Sequence, residues 1–235
     1  MRMKYIRRLG LAVLALCVAV TAAACGVSRK DASVYVQGEL DAVYRGIYNE
    51  DYLDLVEDMT LADAEQKYSD NVTAEAEYLL YYFLGVEYPD DAVTAKAESL
   101  VKEIYSHAKY TVGEADKLQS GDFVVEVVLS PIEIMPLLTE ESYSENWQAA
   151  CAEKGITTQE QLNSVTEEEY AAIDALYAMA MLEEIEALLP QLSYGADQEI
   201  MLQMELGDDN YYSLVEEDWQ YLDAVMIDYY GDYAE

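Results

Sequence analysis

The apolar positions of this chain follow a helical period at first, switch to strict alternation, and return to the helical period, so helices and strands come in blocks. Val36, Leu40, Val43 and Ile47 recur at i, i+4, i+7 and i+11, which is one stripe of an amphipathic helix reaching about Asn49. A shorter helix is expected over 50–59. Thr60 offers a cap for the next, with Asp63 and Glu65 in the first turn, where the helix dipole favours acids. Ala76, Leu79, Leu80, Phe83 and Leu84 give that helix its apolar face, and Gly85 ends it before Tyr88-Pro89. Val93, Ala97, Leu100, Val101 and Ile104 form a further stripe.

Near Tyr110 the period becomes two. Tyr110 and Val112 alternate with Lys109, Thr111 and Gly113, and Phe123, Val125, Val127 and Leu129 alternate with Asp122 and Glu126, across the turn chemistry of Gln119-Ser120-Gly121-Asp122. Pro131 and Pro136 end this hairpin. Helical signals follow: Ser142 with Glu145, Thr158 with Gln161, and Thr166 with Glu169 have capping-box spacing, and the last opens an apolar run through Ile173, Leu176, Ala180, Ile185 and Leu189 to Pro190. Alternation returns with Ile200, Leu202, Met204 and Leu206 against Glu199, Gln203 and Glu205. Gly207-Asp208-Asp209-Asn210 then turns the chain so that Tyr211 to Val215 pair back, and Trp219, Leu222, Val225 and Met226 close with a short helix.

Without a repeat or a low-complexity linker, one domain over 32–235, with a helical insertion at about 137–190, is the economical reading. A lone hairpin is marginal in water, so the hairpins near 108–130 and 193–216 are expected to share one antiparallel sheet. Helices near 32–48 and 91–107 are expected to cover its apolar face.

The first 24 residues differ from the rest. Arg2, Lys4, Arg7 and Arg8 precede an apolar run from Leu9 to Val20 and then Thr21-Ala22-Ala23-Ala24-Cys25-Gly26, the layout of a secretory signal. The run is too short to span a bilayer comfortably. Cysteine directly after small residues resembles the lipobox of bacterial lipoproteins, in which cleavage between Ala24 and Cys25 leaves a diacylglyceryl-cysteine as the first residue. The usual larger aliphatic is replaced by Ala22. Residues 25–31 then read as a short lipidated tether of about 20 Å at full extension. Two acyl chains suffice for stable anchoring, so the expected location is the extracytoplasmic face of the cell membrane.

Charge narrows the choice of partner. Thirteen Lys and Arg face 47 Asp and Glu, a formal charge of -34, which excludes a nucleic-acid backbone as ligand. Of three cysteines, Cys17 lies in the signal and Cys25 at the lipid site, leaving Cys151 with no disulfide partner and no histidine near it in sequence. It reads as a small packed residue. The single histidine, His107, has no visible catalytic companion.

Several further segments follow a known pattern. Tyr35-Val36-Gln37-Gly38-Glu39-Leu40-Asp41-Ala42-Val43-Tyr44-Arg45-Gly46, the strand from Gly121 to Leu129, and Trp219-Gln220-Tyr221-Leu222-Asp223, behind a lipobox, resemble an uncharacterised family of Gram-positive lipoproteins with an NTF2-like (cystatin-like) domain. The resemblance implies an α+β fold, a curved antiparallel four-stranded sheet packed against N-terminal helices. It implies no activity, and the stretch 137–190 departs from a minimal domain of that kind.

Candidate chemistry is sparse. Asp208, Asp209, Asn210, Glu216, Glu217 and Asp218 crowd oxygen ligands together but lack the glycine and the spacing of a calcium loop, so no metal and no cofactor is expected. Glu126, Glu199 and Glu205 fall on the polar faces of their strands and read as solvent-facing. Twenty-two tyrosines against two phenylalanines invite either half-buried packing or a binding surface, and the pairs Tyr81-Tyr82 and Tyr211-Tyr212 are the candidate contacts. The expected function is a lipid-anchored binding or interaction module for an envelope protein or small ligand. The alternative is an acid/base hydrolase or isomerase in an NTF2-like cone, for which an inward carboxylate of raised pKa in a deep cavity would speak.

Overall fold

The computed structural model describes residues 20–21, 26–56, 59–207 and 211–234. Ala24, Cys25 and the turn at 208–210 lie outside them. The helices are α1 (Arg29–Arg45), α2 (Glu50–Leu53), α3 (Leu61–Glu77), α4 (Asp91–Ser106), α5 (Glu140–Glu153), α6 (Gln159–Leu162), α7 (Glu167–Leu188) and α8 (Glu216–Met226). The strands are β1 (Val20–Thr21), β2 (Lys109–Val112), β3 (Asp116–Lys117), β4 (Phe123–Ser130), β5 (Ile132–Glu133), β6 (Ser193–Tyr194), β7 (Gln198–Leu206) and β8 (Tyr211–Leu214).

Local chemistry explains most helix boundaries. Ser28 caps α1 and Asp31 reaches back to the Ser28 amide, so the helix starts inside the segment expected to be tether, not at 32. Asp at the third helical position does the work of the usual Glu there, which is why the spacing was missed. Gly46, left-handed at φ 61°, ends α1 earlier than Asn49. The helix expected over 50–59 is the single turn of α2. Thr60 and Asp63 form the capping box of α3, which runs into a π-helical turn at Tyr78–Phe83 and stops before Gly85, φ 71°. Thr158 with Gln161 and Thr166 with Glu169 cap α6 and α7 as their spacing predicts. For α5 the cap is Thr139, with Ser142 in the third helical position, and not Ser142 with Glu145.

The two hairpins do share a sheet, a curled antiparallel half-barrel. Its order is β1-β8-β7-β4-β2, with β3 also on β4. The central pairing aligns Phe123 with Met204, Val125 with Leu202 and Val127 with Ile200, so these six side chains form an apolar, buried face. Glu126, Glu199 and Glu205 are exposed on their strands, as the alternation predicts. Leu206 is the exception among the alternating apolars, exposed at 44% at the end of β7.

Helix α1 lies across β4 and β2, and the C-terminal α8 covers β7 and β4. Ser33 fixes α1 to the β2–β3 loop, donating to the Gly113 carbonyl at 3.0 Å and accepting from the Ala115 amide at 2.8 Å. Helix α4, expected on the sheet, packs chiefly on α1, α3 and α7 instead. Its apolar stripe is used, but by other helices. The insertion is closed at its base by β5 and β6, which pair Ile132 with Tyr194 and Glu133 with Ser193, and α7 packs against both α5 and α4. One buried cluster therefore runs from Tyr35 and Leu40 through the sheet to Ile173, Met181 and Ile185 of the insertion.

Gly38 shows how close the first helices come. A Cβ added there would lie 2.3 Å from the Tyr52 ring. Gly38→Ala is expected to lower stability by about 1–3 kcal/mol, the usual cost of overpacking. Denaturant melts of the parent and the variant measure it.

Candidate functional site

Two carboxylates lie in the helical core. Glu75 of α3 and Asp223 of α8 are both buried, and each is met by tyrosine hydroxyls in place of a cation. Tyr229 donates to Glu75 Oε1 at 2.5 Å, Tyr105 also hydrogen-bonds Glu75, and Tyr44 donates to Asp223 Oδ1 at 2.8 Å. Rings close over them: Tyr44 stacks on Trp219 at 5.9 Å and meets Tyr105 edge-on at 5.2 Å, while Tyr229 meets Tyr78 and Phe83 edge-on. Burial, and then repulsion from Asp223, push the Glu75 carboxyl up to about 7. Burial pushes Asp223 up to about 6, with its tyrosine hydrogen bond opposing.

A second network faces the first helices. Glu39 of α1 accepts from Tyr52 at 2.6 Å and pairs with Lys67 of α3, and neighbouring Asp41 accepts from Tyr110 at 2.7 Å and Gln37 at 3.0 Å. Beside it a groove of about 570 Å³ runs between α1 and α2, lined by Ser33, Gln37, Gly38, Asn49, Glu50 and Tyr52 among others. Its lining is mixed, with Val34 and Val112 beside the polar groups.

The third feature is a hollow where the insertion meets the turn after α3. Tyr143 and Trp147, one turn apart on α5, and Tyr170, Asp174 and Tyr177, on successive turns of α7, converge on Gly85 around about 230 Å³. Trp147 stands 5.9 Å from Tyr170 at 55° and 5.6 Å from Tyr177 at 80°. Pairs so inclined are tilted and edge-to-face packing contacts. The hollow is fixed to the core through Asp174, whose Oδ2 accepts the amides of Glu87 and Tyr88 at 2.7 Å each, and through Tyr177, which donates to the Leu84 carbonyl at 3.2 Å. Asn146 of α5 donates to Glu184 of α7 at 2.6 Å and holds the two helices together.

The residues singled out from sequence fare unevenly. Tyr81 and Tyr82 are exposed on the π-helical turn, with Tyr82 stacked on Tyr78. Tyr211 is half-buried on β8. Its neighbour Tyr212 is not an exposed contact: it is buried, packs on Phe123 at 5.2 Å and donates to the Gly121 carbonyl at 3.0 Å. Cys151 is buried in α5, and burial raises its thiol pKa, so it packs as expected. Of the acidic cluster, Glu216 accepts from Gln220 and Asp218 from the Gln203 amide, and 208–210 fall outside the described residues. The aromatic hollow was missed. Its signal was the ring-and-acid spacing Tyr143/Trp147 and Tyr170/Asp174/Tyr177, hidden among other tyrosines.

No family model matches the chain, and no curated protein does. Among solved structures it is similar to a candidate lipoprotein (ycdA) from Bacillus subtilis, at 17% identity and a TM-score of 0.48. The match covers 84% of this chain and 56% of that one, so the chain spans little more than half of that protein. Among the described residues no helix is long and apolar enough to cross a membrane.

The buried pair makes stability depend on pH. Both carboxyls bind protons more tightly folded than unfolded, where Glu and Asp have ordinary values of 4.5 and 3.8. Their contribution is therefore fully present below about pH 4 and is lost as pH rises through 6 and 7. Glu75→Gln, whose amide oxygen still accepts from Tyr229, is expected to be more stable than the parent at pH 7.5 by on the order of 1–3 kcal/mol and to flatten the profile between pH 5 and 7.5. Melting curves across that range read both effects, and an unchanged slope would remove Glu75 as its source.

Proposed function

We propose that this protein is a lipid-anchored, extracytoplasmic binding module of a Gram-positive envelope, held by a diacylglyceryl group on Cys25, with the aromatic hollow between α5, α7 and the Gly85 turn as its ligand site. The anchor rests on the basic, apolar and small-residue layout that ends in Ala24-Cys25. The curled antiparallel sheet against helices agrees with an NTF2-like architecture carrying a helical insertion in one domain, and cleavage before Cys25 removes the two-residue edge strand β1 while leaving β8-β7-β4-β2. The tether is shorter than its sequence suggested, because α1 begins at Arg29. The fold thus sits close to the lipid surface.

The observation that carries binding over catalysis is the contrast between the two tyrosine-rich places. At Glu75 and Asp223 the hydroxyls of Tyr229 and Tyr44 take the carboxylate oxygens and the rings pack shut. The hollow, by contrast, leaves about 230 Å³ of space beside its rings. A site for small molecules is a concavity, and the hollow is one, lined by Tyr143, Trp147, Tyr170, Asp174 and Tyr177. The enzymatic reading keeps one specific support: carboxyls raised to about 6 and 7 are poised for proton transfer near neutral pH. It requires an opening that admits substrate to them.

Both parts are open to test. Cys25→Ser should leave an uncut precursor or release the protein to the medium, and mass spectrometry of the native N-terminus should find diacylglyceryl-cysteine; a mature chain beginning elsewhere and unmodified removes the anchor. The full-length protein should show no turnover of ester, glycoside, peptide or epoxide substrates. Turnover abolished by Glu75→Gln or Asp223→Asn would replace the binding reading with the enzymatic one.

A further inference from the structure

Aromatic rings also run together on the outer surface where the π-helical turn meets the C-terminal segment. Tyr82 stacks on Tyr78 at 5.7 Å, Tyr78 and Phe83 meet the buried Tyr229 edge-on at 5.0 and 4.9 Å, and Phe83 meets Tyr230 edge-on at 6.1 Å. The strip is open at both ends, with Tyr82 51% and Tyr230 52% exposed. A Cβ on Gly231 would lie 3.8 Å from Pro136, which brings Pro136 and exposed Leu137 alongside. Single exposed apolar side chains are ordinary, but a run of adjoining rings marks an interaction site. The strip is also held in place. Asp228 accepts the amides of Tyr230, Gly231 and Asp232 through Oδ1 and of Tyr233 through Oδ2, at 2.9–3.1 Å, and Tyr229 beneath is tied to Glu75. Rings fixed before a partner arrives lose little freedom when it binds.

Charge narrows the partner. The stretches 68–95, 118–153 and 155–235 supply every residue of the strip, and they contain no Lys or Arg. Acids border it instead: Glu77 precedes Tyr78, Asp232 follows Gly231, and Glu140 and Glu141 open α5, all of them exposed. Tyr143, which meets Phe83 edge-on at 6.4 Å, lies in the field of Glu184. An anionic lipid surface, or a second copy of this chain, would set like charge against like. Beyond the hollow and independently of it, we infer that this strip is a docking surface for a basic, arginine-bearing segment of a second protein. Arginine suits it better than lysine. A guanidinium plane lies flat on a tyrosine ring while its N–H fork reaches a neighbouring carboxylate, whereas an ammonium holds its water more tightly. Tyrosine and arginine are also the side chains enriched where proteins meet.

The test is fluorescence anisotropy at physiological salt, with the full-length protein in a neutral detergent and two labelled probes: a short alternating glycine–arginine peptide, and the glycine–lysine peptide of the same length and charge. The arginine peptide is expected to saturate one site and to bind about fivefold more tightly than the lysine peptide. Tyr82→Ser combined with Tyr230→Ser removes two rings and no charge, and should weaken the arginine peptide about tenfold. The same pair changed to phenylalanine keeps the rings and should weaken it by less. Tyr221→Ser is the control: Tyr221 is 52% exposed on α8 and has no ring contact with the strip among the described residues, so its loss should leave the affinity within about twofold. Circular dichroism melts show whether each variant is folded, and the comparison of the two peptides needs no variant at all. Equal affinity for the two peptides, or equal losses from Tyr221→Ser and from the strip variant, would overturn the inference, because general acidity would then account for the binding. Failure of the arginine peptide to bind would overturn it as well. Dimerisation in sedimentation, or binding to phosphatidylglycerol vesicles, that the double serine variant abolishes would overturn the choice of a basic protein segment in favour of a second copy or a lipid surface. The reading of the protein as a binding module falls separately, to turnover that Glu75→Gln or Asp223→Asn abolishes.

Discussion

In a chain with 47 acids and 13 basic residues, several interior carboxylates are met by hydroxyls and amides in place of a cation, and those contacts organise the helical side of the fold. Lys67 reaches Glu39, and Arg45 approaches Asp41, but Glu75 and Asp223 have only hydroxyls. Tyrosine is the donor in each of these networks: Tyr52 to Glu39, Tyr110 to Asp41, Tyr44 to Asp223 and Tyr229 to Glu75. A phenylalanine would fill the same volume and leave the carboxylate oxygen bare, at a cost of about 1–3 kcal/mol or more for a charged group. At these four positions the choice of tyrosine over phenylalanine follows from the carboxylate beside it. Tyr44 thereby ties α1 to α8, Tyr52 ties α2 to α1 and Tyr105 ties α4 to α3, while Tyr110 joins β2 to α1 and Tyr229 joins the segment after α8 to α3.

Around that network the sheet acts as a clasp. Strands β4 and β7 belong to different hairpins, and the insertion is the chain between them. Pairing β5 with β6 at its base brings α5 and α7 back over the first helices, and Asp174 then ties α7 to the turn after α3. The aromatic hollow is thus built by two segments that are remote in sequence, one from the insertion and one from the N-terminal helices. Its walls come from regular helices, whose side chains are held more firmly than those of loops.

What could be read in the sequence was local. The alternation in β4 and β7, the caps at Thr60, Thr158 and Thr166, and the stop at Gly85 each depend on a few adjacent residues, and each appears in the fold. Periodicity identified the apolar stripe of α4 but not its partner, because a stripe that faces other helices has the same spacing as one that faces a sheet. The Tyr211-Tyr212 pair was legible and misjudged: neighbours on a strand point to opposite faces, so both could not be exposed at once. For Glu75 and Asp223 there was little to see, since acids on an amphipathic helix ordinarily face water and only tertiary packing turned these inward. The aromatic hollow had a spacing signal on each helix, but its meaning depended on α5 and α7 packing beside the Gly85 turn.

The β4–β7 pairing also sets an order of events. Contacts between strands separated by so long an insertion are slow to form, since the intervening chain must be closed into a loop first. A chain that emerges N-terminus first presents Phe123, Val125, Val127 and Leu129 long before Ile200, Leu202 and Met204 exist to meet them. Until then β4 has β2 and β3 on one side and a bare hydrogen-bonding edge on the other, the kind of surface that recruits strands from other molecules. The helices of the insertion, by contrast, have α4 and the turn after α3 to pack on before β7 emerges. Completion of the sheet is consequently the late event, and the interval before β7 arrives is when the chain is most exposed to aggregation and most in need of a chaperone.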